Sequence, residues 1–346
     1  MRKLSFSDAI NEALRQQMRR DPSIFVYGIG VPDHKRIFGS LNHILEEFGS
    51  NRCFDTPLCE DTMTGFGIGA AICGMRPVHV HIRVDFLLLA MNQLVNMAST
   101  MAYGSGGHLK VPMVIRAIVG RGWGQGYQHS KSLHSYFAHI PGLKVVMPTT
   151  PYDAKGMMTA ALQDNNPVVF IEHRWLHWAE DNVPEESYTV PIGPGQVLRK
   201  GDDITIAATS WMTVEALRAA DVLQSRGISV EVVDVRTINP LDPAVVVASV
   251  GRTHHCVAVD GDWIPCGVAS EMAAIVSEAC FGALKAPVNR VGFAFTPCPT
   301  VRCLEDEFYP NASTIVRAVE KTLRLSAMDL GAMELYSHER KFKGPF

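Results

Sequence analysis

Two hydrophobic periods alternate along the first half of the chain. Near the N-terminus, apolar residues recur at helical spacing at Ala9, Ile10, Ala13, Leu14 and Met18. A short uninterrupted apolar run at 24–27 then predicts a buried strand. Further strands are predicted at 77–84, 111–118, 143–147 and 168–172, and further helices at 41–48, 65–74, 87–103 and 152–162. Strands that alternate with helices favour a parallel sheet covered on both faces, so we predict a doubly wound α/β sheet.

The alternation is interrupted once and then starts again. Residues from about 174 to 200 carry acidic residues and prolines and show no period, which is typical of a linker between domains. Later strands are predicted at 203–208, 229–235, 256–259 and 288–292, and later helices at 213–224, 242–250, 269–279 and 312–325. We therefore predict a first α/β domain over 1–180, a linker over 181–200, a smaller α/β domain over 201–325 and a tail over 326–346.

Composition and charge exclude several classes of protein. The chain has 346 residues, of which 47% are hydrophobic and 19% charged, as in globular proteins with well-covered cores. Its net charge of −3 shows no excess of basic residues of the kind that binds nucleic acid. It has no apolar run long enough to span a bilayer and no charged-then-apolar leader. We expect no nucleic-acid partner and no membrane, with the cytoplasm as the default compartment.

The eight cysteines are scattered and show no C-x-x-C spacing. This pattern favours buried free thiols over a zinc site or a disulfide framework. Cys59 stands beside Glu60, which makes it a candidate nucleophile. A nucleophilic thiol needs a paired base, and the sequence identifies none.

The carboxylate of Glu60 stands at the start of a predicted helix that is unusually rich in glycine. Thr56 precedes a proline, which disfavours a helical backbone there and forces an extended approach to the helix. Gly65, Gly67 and Gly69 follow, and each glycine inside a helix costs about 1 kcal/mol relative to alanine. Several together need a reason. Either a cofactor or second subunit approaches the backbone, or the helix packs tightly on the sheet and Glu60 is an ordinary solvated side chain.

A second candidate site lies in the glycine-rich loop at 120–130. Four glycines in seven residues, followed by His129, make a poor core and a plausible binding loop. The alternative is that His129 only orders the loop by bonding to the backbone. The remaining histidines near predicted elements are interpreted as structural or partner-facing: His79, His81, His134 and His139.

Several segments occur in an order known from one family. They are 54–60, 74–77, 85–96, 128–130, 141–146, 164–169 and 234–242. With these motifs the chain resembles the beta subunit of the thiamine-diphosphate-dependent first component of 2-oxo acid dehydrogenase complexes, of the pyruvate, branched-chain 2-oxo acid and acetoin types. The resemblance covers about residues 4 to 325.

The resemblance implies a pyrimidine-binding transketolase-like domain, a transketolase C-terminal-like domain, and an α2β2 assembly with thiamine diphosphate held between chains. It implies that Glu60 bonds the ring nitrogen of the aminopyrimidine and favours its imino tautomer. It places Phe86 on the aminopyrimidine ring and Leu58 beside the cofactor. It places His129 near the reacting carbons, where imidazole binds the substrate carboxylate or relays protons. A structural potassium ion is carried over to Met113, Ala161, Leu162, Asp164 and Asn166.

One half of the expected cofactor site is missing from this chain. In thiamine enzymes a Gly-Asp-Gly triplet followed later by Asn-Asn holds the Mg2+-diphosphate, as the resemblance implies. The segments 201–203 and 261–263 break the triplet, and 165–166 has no triplet before it. The sequence therefore predicts a chain that is inactive alone and needs an alpha subunit, which holds most of the Mg2+ site. A lipoyl acyltransferase core is a further expected partner.

Some positions depart from the family pattern and put the substrate and the acyl acceptor in doubt. His81 and Arg83 stand where many relatives have aromatic residues, Trp123 is unusual, and 260–267 replaces a more acidic turn. The first hypothesis is decarboxylation of a 2-oxo acid, with transfer of the acyl unit to a lipoyl or other acceptor. Arg83 also suits a split transketolase-like or acyloin-forming enzyme that acts on an aldehyde or sugar acceptor. A scaffold subunit without catalysis is a third alternative, against which the presence of Glu60 and His129 argues.

Overall fold

The computed structural model describes residues 2–33, 38–121, 124–331 and 335. Trp123 and most of the predicted tail at 326–346 lie outside these residues. In the part of the chain that the structure describes, no helix is both long and apolar enough to cross a membrane.

The chain divides into two compact units, each made of two stretches of sequence. The first unit contains Met1–Val119 and Tyr136–Ile192, and the second contains Gly120–Ser135 and Gly193–Phe346. The segment 120–135, which the sequence prediction placed in the first domain, thus belongs to the second unit. The domain boundaries predicted from the sequence stay predictions.

The strands, in chain order, are β1 Arg2–Ser5, β2 Ile24–Gly28, β3 Cys53–Phe54, β4 Arg76–His81, β5 Val114–Val119, β6 Lys144–Val146, β7 Val168–His173, β8 Glu180–Val183, β9 Gln196–Arg199, β10 Ile204–Ala208, β11 Val230–Asp234, β12 Thr237–Asn239, β13 Cys256–Trp263 and β14 Asn289–Phe293. The α-helices are α1 Phe6–Arg20, α2 Ile44–Phe48, α3 Glu60–Ile72, α4 Val84–Leu87, α5 Met101–Gly104, α6 Gly126–His129, α7 His134–Ala138, α8 Pro151–Gln163, α9 Trp211–Gln224, α10 Ala244–Thr253, α11 Val268–Ala279, α12 Arg302–Phe308 and α13 Ala312–Thr322.

The main sheet of the first unit is parallel and deeply buried. It contains the strand order β6-β7-β5-β4-β2-β3, and each neighbouring pair is parallel. Every residue of β2 and β5 is buried. Central strands that are buried along their whole length need cover on both faces of the sheet. The predicted doubly wound α/β architecture is confirmed.

The helix predicted at 87–103 is broken into short pieces. A 3-10 turn, Leu88–Ala90, follows α4, and a π-helical turn, Gln93–Ala98, leads towards α5. The Ser99 hydroxyl donates to the Val95 carbonyl at 2.7 Å, and the Thr100 hydroxyl donates to the Asn96 carbonyl at 2.9 Å. Such side-chain bonds compete with the regular ladder of an α-helix. The prediction of one continuous helix was therefore wrong.

The second unit has its own mostly parallel sheet. The strand order is β14-β13-β10-β11-β9, with β9 antiparallel to β11 at the edge and the other pairs parallel. The segment expected to be a linker contains regular structure, because β8 pairs with β1 in the first unit and β9 completes the sheet of the second. The hydrophobic pattern did not predict these two short strands, because acidic residues and prolines interrupt the period in this segment.

Candidate active site

Two of the predicted site residues follow strands that end at the same edge of the first sheet. Strands β3 and β4 both pair in parallel with β2, so their carboxyl ends face the same way. Glu60 comes shortly after β3 and begins α3, and Phe86 comes shortly after β4 in α4. Ligands of open α/β sheets bind beyond the carboxyl ends of the strands. The fold therefore brings Glu60 and Phe86 to the edge where a ligand is expected.

The loop before Glu60 is fixed by a neighbouring carboxylate. Asp55 Oδ1 accepts hydrogen bonds from the backbone N–H groups of Gly30 and Thr56, each at 2.8 Å. These bonds tie the turn after β2 to the loop after β3. The loop consequently delivers the chain to Glu60 in a defined position rather than as a loose connection.

The Glu60 carboxylate is available to a ligand. Glu60 is partly buried and is the first residue of α3, where the positive end of the helix dipole favours a negative charge. Among residues 2–33, 38–121 and 124–331, no hydrogen bond or ion pair to its carboxylate is found. The side chain is thus held in place by the helix and leaves its oxygens open.

The glycines of α3 serve different purposes. A Cβ atom on Gly67 would lie 2.1 Å from Tyr27 Oη and 2.7 Å from Met113 Cε, so only glycine fits there. This is the tight helix–sheet packing considered from the sequence. A Cβ on Gly69 would meet no described atom within 4 Å. Packing on the sheet accounts for Gly67 and not for Gly69, so the other alternative, a cofactor or second subunit that approaches the helix backbone, still stands for Gly69.

A buried stack of aromatic rings supports α3 from below. The rings of Tyr27 and His79 stack with centroids 4.4 Å apart, and Thr64 Oγ1 lies 3.2 Å from His79 Nδ1. His81 Nε2 lies 3.2 Å from the same His79 nitrogen. Burial lowers the pKa of His79 well below its usual value and lowers the pKa of His81 to about 3. Both imidazoles are therefore neutral near pH 7 and act as structural supports, which is one of the two roles expected for them from the sequence.

The two apolar residues expected at the cofactor are uncovered. Leu58 is 81% exposed and Phe86 is 38% exposed. Exposed apolar side chains at the same sheet edge as a carboxylate suit an aromatic ring that also carries a hydrogen-bonding nitrogen. The residues present therefore fit the aminopyrimidine half of thiamine diphosphate.

His129 lies in the second unit and ends α6. A Cβ on Gly126, whose φ is +58°, would lie 2.3 Å from Thr300 Oγ1, so glycine permits the close approach of this loop. The carbonyl oxygen of Ser130, the residue after His129, accepts a bond from Tyr309 Oη at 3.2 Å and from the Cys298 thiol at 3.5 Å. The segment around His129 is thus fastened to Cys298 and Tyr309, which are also in the second unit.

The beginning of the same loop is held by a buried cation. Arg121 Nη1 lies 3.3 Å from Glu305 Oε2, and its guanidinium stands over the Tyr309 ring at 4.6 Å from the centroid. The end of the loop is held by His134, whose Nε2 lies 3.0 Å from Asp260 Oδ1. The sequence predicts a structural or partner-facing role for His134, and the structure buries this side chain completely.

The oxygens expected to bind potassium already receive hydrogen bonds. Arg76 Nη1 donates to the carbonyl oxygens of Leu162 at 3.0 Å and Asp164 at 2.8 Å. The Asp164 carboxylate forms an ion pair with Lys144 and accepts a bond from Asn166 Nδ2 at 3.0 Å. The remaining two carbonyls are bonded as well, since Ala161 accepts from Asp164 N–H and Met113 accepts from Val168 N–H. A carbonyl oxygen keeps a second lone pair, so the five residues stay a predicted site, next to two protein cations.

The described residues form no other metal centre and no reactive thiol centre. Among the described residues no group of three or more His, Cys, Asp or Glu side chains is placed to hold a metal ion. All eight cysteines lie in the described ranges and are free thiols. The exposed Cys59 Sγ donates to Thr62 Oγ1 at 3.0 Å, which is not the paired base that a nucleophile requires.

Comparisons with known proteins identify both domains and the fold. The model of the transketolase pyrimidine-binding domain matches residues 2–177, and the model of the transketolase C-terminal domain matches residues 193–315. A solved structure titled "Split gene transketolase, inactive beta4 tetramer" superposes with a TM-score of 0.74 at 22% identity, covering 94% of this chain and 99% of that one. At that identity the likeness shows the fold alone.

Relatives of higher identity define the family. The beta subunit of acetoin:2,6-dichlorophenolindophenol oxidoreductase from Cupriavidus necator is 42% identical over 332 residues, covering 93% of this chain and 98% of that protein. The beta subunit of 2-oxoisovalerate dehydrogenase from Bacillus subtilis is 39% identical, covering 92% and 98%. Subunit beta-2 of the pyruvate dehydrogenase E1 component from Oryza sativa is 37% identical, covering 92% and 86%. The chain therefore belongs to the transketolase-like family of beta subunits from the first components of 2-oxo acid dehydrogenase complexes.

Proposed function

We propose that this chain is the beta subunit of a thiamine-diphosphate-dependent 2-oxo acid dehydrogenase and supplies the pyrimidine half of its active site. The observation that carries the proposal is the Glu60 carboxylate, which is positioned by α3 and has no partner among the described residues. Its place beyond the carboxyl ends of parallel strands is where this class of fold binds ligands.

Each site residue has a distinct role in this proposal. Glu60 holds a proton against the ring nitrogen of the aminopyrimidine, Phe86 stacks on that ring, and Leu58 covers it with an apolar side chain. The bound cofactor supplies the electron sink that decarboxylation of a 2-oxo acid requires. The protein orients the ring and holds one proton between Glu60 and the ring nitrogen. A carboxylate that is fixed at the start of a helix suits both tasks.

His129 is proposed to act on the substrate rather than on the cofactor. It stands at the end of α6 and is partly buried, so the imidazole is held but accessible. An imidazole can bind the substrate carboxylate or move a proton near neutral pH. Fixation of the following Ser130 carbonyl by Tyr309 and Cys298 supports a role that needs a defined position.

The proposal includes a second chain. Asp262, the acidic residue of the broken triplet, is buried and accepts bonds from Ser135 Oγ at 2.9 Å and from the Trp263 N–H at 2.8 Å. A carboxylate engaged in this way is poorly placed to bind Mg2+. We therefore assign the Mg2+-diphosphate site to an alpha subunit in an α2β2 heterotetramer, with a lipoyl acyltransferase core as the acyl acceptor. The cytoplasmic location stays a prediction.

The main alternative is a split transketolase-like or acyloin-forming enzyme that acts on an aldehyde or sugar acceptor. Relatives named as acetoin, 2-oxoisovalerate and pyruvate enzymes favour the dehydrogenase. The solved split transketolase shares the fold at only 22% identity, so it lends the alternative no specific support.

The test uses the chain assembled with an alpha subunit that carries an intact Gly-Asp-Gly and Asn-Asn motif. Glu60→Gln keeps the shape of the side chain and removes its proton chemistry, and we expect turnover to fall about 10²- to 10⁴-fold. Asp61→Asn is the matched control on the same helical turn and is expected to leave turnover close to that of the native enzyme. Full turnover of the Glu60→Gln enzyme contradicts the proposal.

The donor and acceptor are resolved in the same assay. Pyruvate, branched-chain 2-oxo acids and acetoin are offered with a lipoyl domain or with an aldehyde. Turnover that requires the lipoyl domain supports the dehydrogenase, and turnover that requires the aldehyde instead supports the alternative. The potassium site is tested on the chain alone, where a bound ion would make KCl raise the free energy of unfolding more than NaCl does.

A further inference from the structure

The histidine that follows the catalytic candidate by five positions is completely buried and bound to a carboxylate. His134 has no exposed surface, and its Nε2 lies 3.0 Å from one oxygen of Asp260 and 3.1 Å from the other. Both residues belong to the second unit, although 126 positions separate them in sequence. This contact joins the segment that carries His129 to strand β13.

Asp260 is itself held rigidly. It is 1% exposed and accepts hydrogen bonds from Thr209 Oγ1 at 2.6 Å and from the Gly261 N–H at 2.9 Å. Thr209 directly follows β10, so the carboxylate is fixed by two adjacent strands of the sheet. A second hydrogen bond, from Ser135 Oγ to Asp262 Oδ2 at 2.9 Å, adds to the contact between His134 and Asp260.

The carboxylates around His134 favour the protonated, cationic form of its imidazole. Burial alone lowers the pKa of His134, but the carboxylates of Asp260 and Asp262 outweigh it and raise the pKa to about 9. His134 in turn helps to keep the pKa of Asp260 below its usual range, against the opposing effect of burial. A buried ion pair of this kind is costly to break, because the remaining partner is left as an uncompensated charge.

The opposite end of the segment has a separate anchor. Arg121 is bound to Glu305 and Tyr309, and the Ser130 carbonyl is bound to Tyr309 and Cys298. His129 therefore lies between attachments on either side.

We propose that His134, bound to Asp260, is a positioning residue that fastens the His129 segment to the second unit and so sets His129 for reaction with the substrate. The proposal rests on the proposed role of His129.

Amide hydrogen exchange in the full chain tests the anchor without any assay of activity. In His134→Gln and in Asp260→Asn we expect the amides of 124–135 to exchange at least about tenfold faster than in the native chain. His139→Gln, an exposed histidine just beyond α7, is the matched control and is expected to change nothing. The double variant should match either single variant, because both remove the same interaction. Unchanged exchange in both single variants overturns the proposal.

Turnover of the enzyme assembled with its alpha subunit tests the positioning role. We expect kcat to fall at least about tenfold in His134→Gln, with cofactor affinity unchanged, because a displaced catalytic group lowers the rate without touching the cofactor. His129→Ala should lose turnover and keep native exchange at 124–135. Faster exchange in His134→Gln with native kcat overturns the positioning role.

Full turnover of His129→Ala instead overturns the proposed function of His129, and the positioning role falls with it. The exchange result separates this failure from a failure of the anchor.

Discussion

The phenol oxygen of Tyr27 donates a hydrogen bond of 2.9 Å to the carbonyl oxygen of Met63, in the first turn of the helix that begins at Glu60. Tyr27 is completely buried in the central strand β2, so this bond ties the helix to the sheet. The same phenol occupies the space that a side chain on Gly67 would need. The position of the Glu60 carboxylate thus depends on the contact between Tyr27 and the side of the helix that faces the sheet.

Gly67→Ala is expected to lower the free energy of unfolding by about 1–3 kcal/mol, the usual cost of overpacking a core. The added methyl group would stand 2.1 Å from Tyr27 Oη, which has no room to move. Gly69→Ala is the matched control on the same helix, where the methyl group meets no described atom within 4 Å. Removal of backbone entropy there should stabilise the helix by about 0.5–1 kcal/mol. Denaturant unfolding of the full chain measures both, and equal effects would refute the packing argument.

Phe86→Ala is expected to weaken binding of thiamine diphosphate to the assembled enzyme by about tenfold, as loss of a stacked ring of this size predicts. Phe86 is 38% exposed, so the fold should tolerate its removal. Leu89→Ala on the same segment, where the side chain is 61% exposed, is the control that should bind normally. Calorimetric titration of the cofactor measures the difference. Native affinity in Phe86→Ala would remove Phe86 from the proposed site.

Arg116→Met is expected to destabilise the chain by about 3–5 kcal/mol, because it leaves the Glu172 carboxylate buried without its guanidinium. The two side chains are 1% and 0% exposed, and Arg116 Nε lies 2.6 Å from Glu172 Oε1. Arg15→Met breaks the more exposed pair with Glu47 and should cost less than about 1 kcal/mol. Chemical denaturation compares the two, and similar losses would show that burial does not decide the energy.

The same pair predicts a loss of stability in acid. Burial alone raises the pKa of Glu172, but Arg116 and His177 outweigh it and lower the pKa to about 2 from its usual 4.5. A group whose pKa is depressed by folding contributes its stability above the usual value, so the contribution is full above pH 4.5 and is lost between pH 4.5 and 2. The difference in unfolding free energy between native chain and Arg116→Met should shrink over that interval. A difference independent of pH would contradict the assignment.

The His134 pair predicts the opposite dependence. Folding raises the pKa of His134 to about 9 from its usual 6.5, so its contribution is full below pH 6.5 and is lost as the pH rises to 9. The raised pKa corresponds to about 3 kcal/mol at most. Unfolding of the native chain and of His134→Gln, compared at pH 6 and pH 9.5, should show a large difference at the lower pH and a small one at the higher. A constant difference would indicate that His134 is neutral in the fold.

The hydrophobic periods identified most of the strands and helices because those periods are local. A strand such as β5 is a run of buried apolar residues, and a helix such as α1 shows its apolar face directly in the sequence. The break at 87–103 escaped prediction, because hydroxyl groups of Ser99 and Thr100 alter the backbone bonding without changing the apolar pattern.

The α/β class, the family and the site candidates Glu60, Phe86 and His129 could be predicted from the sequence. Three further facts became visible only in the folded chain: Gly67 is a packing glycine, the loop of His129 belongs to the second unit, and His134 meets Asp260. The physical reason is the range of the interactions. Periodicity and motifs record how a residue relates to its neighbours along the chain, whereas a buried ion pair or a steric limit depends on residues that only folding brings together.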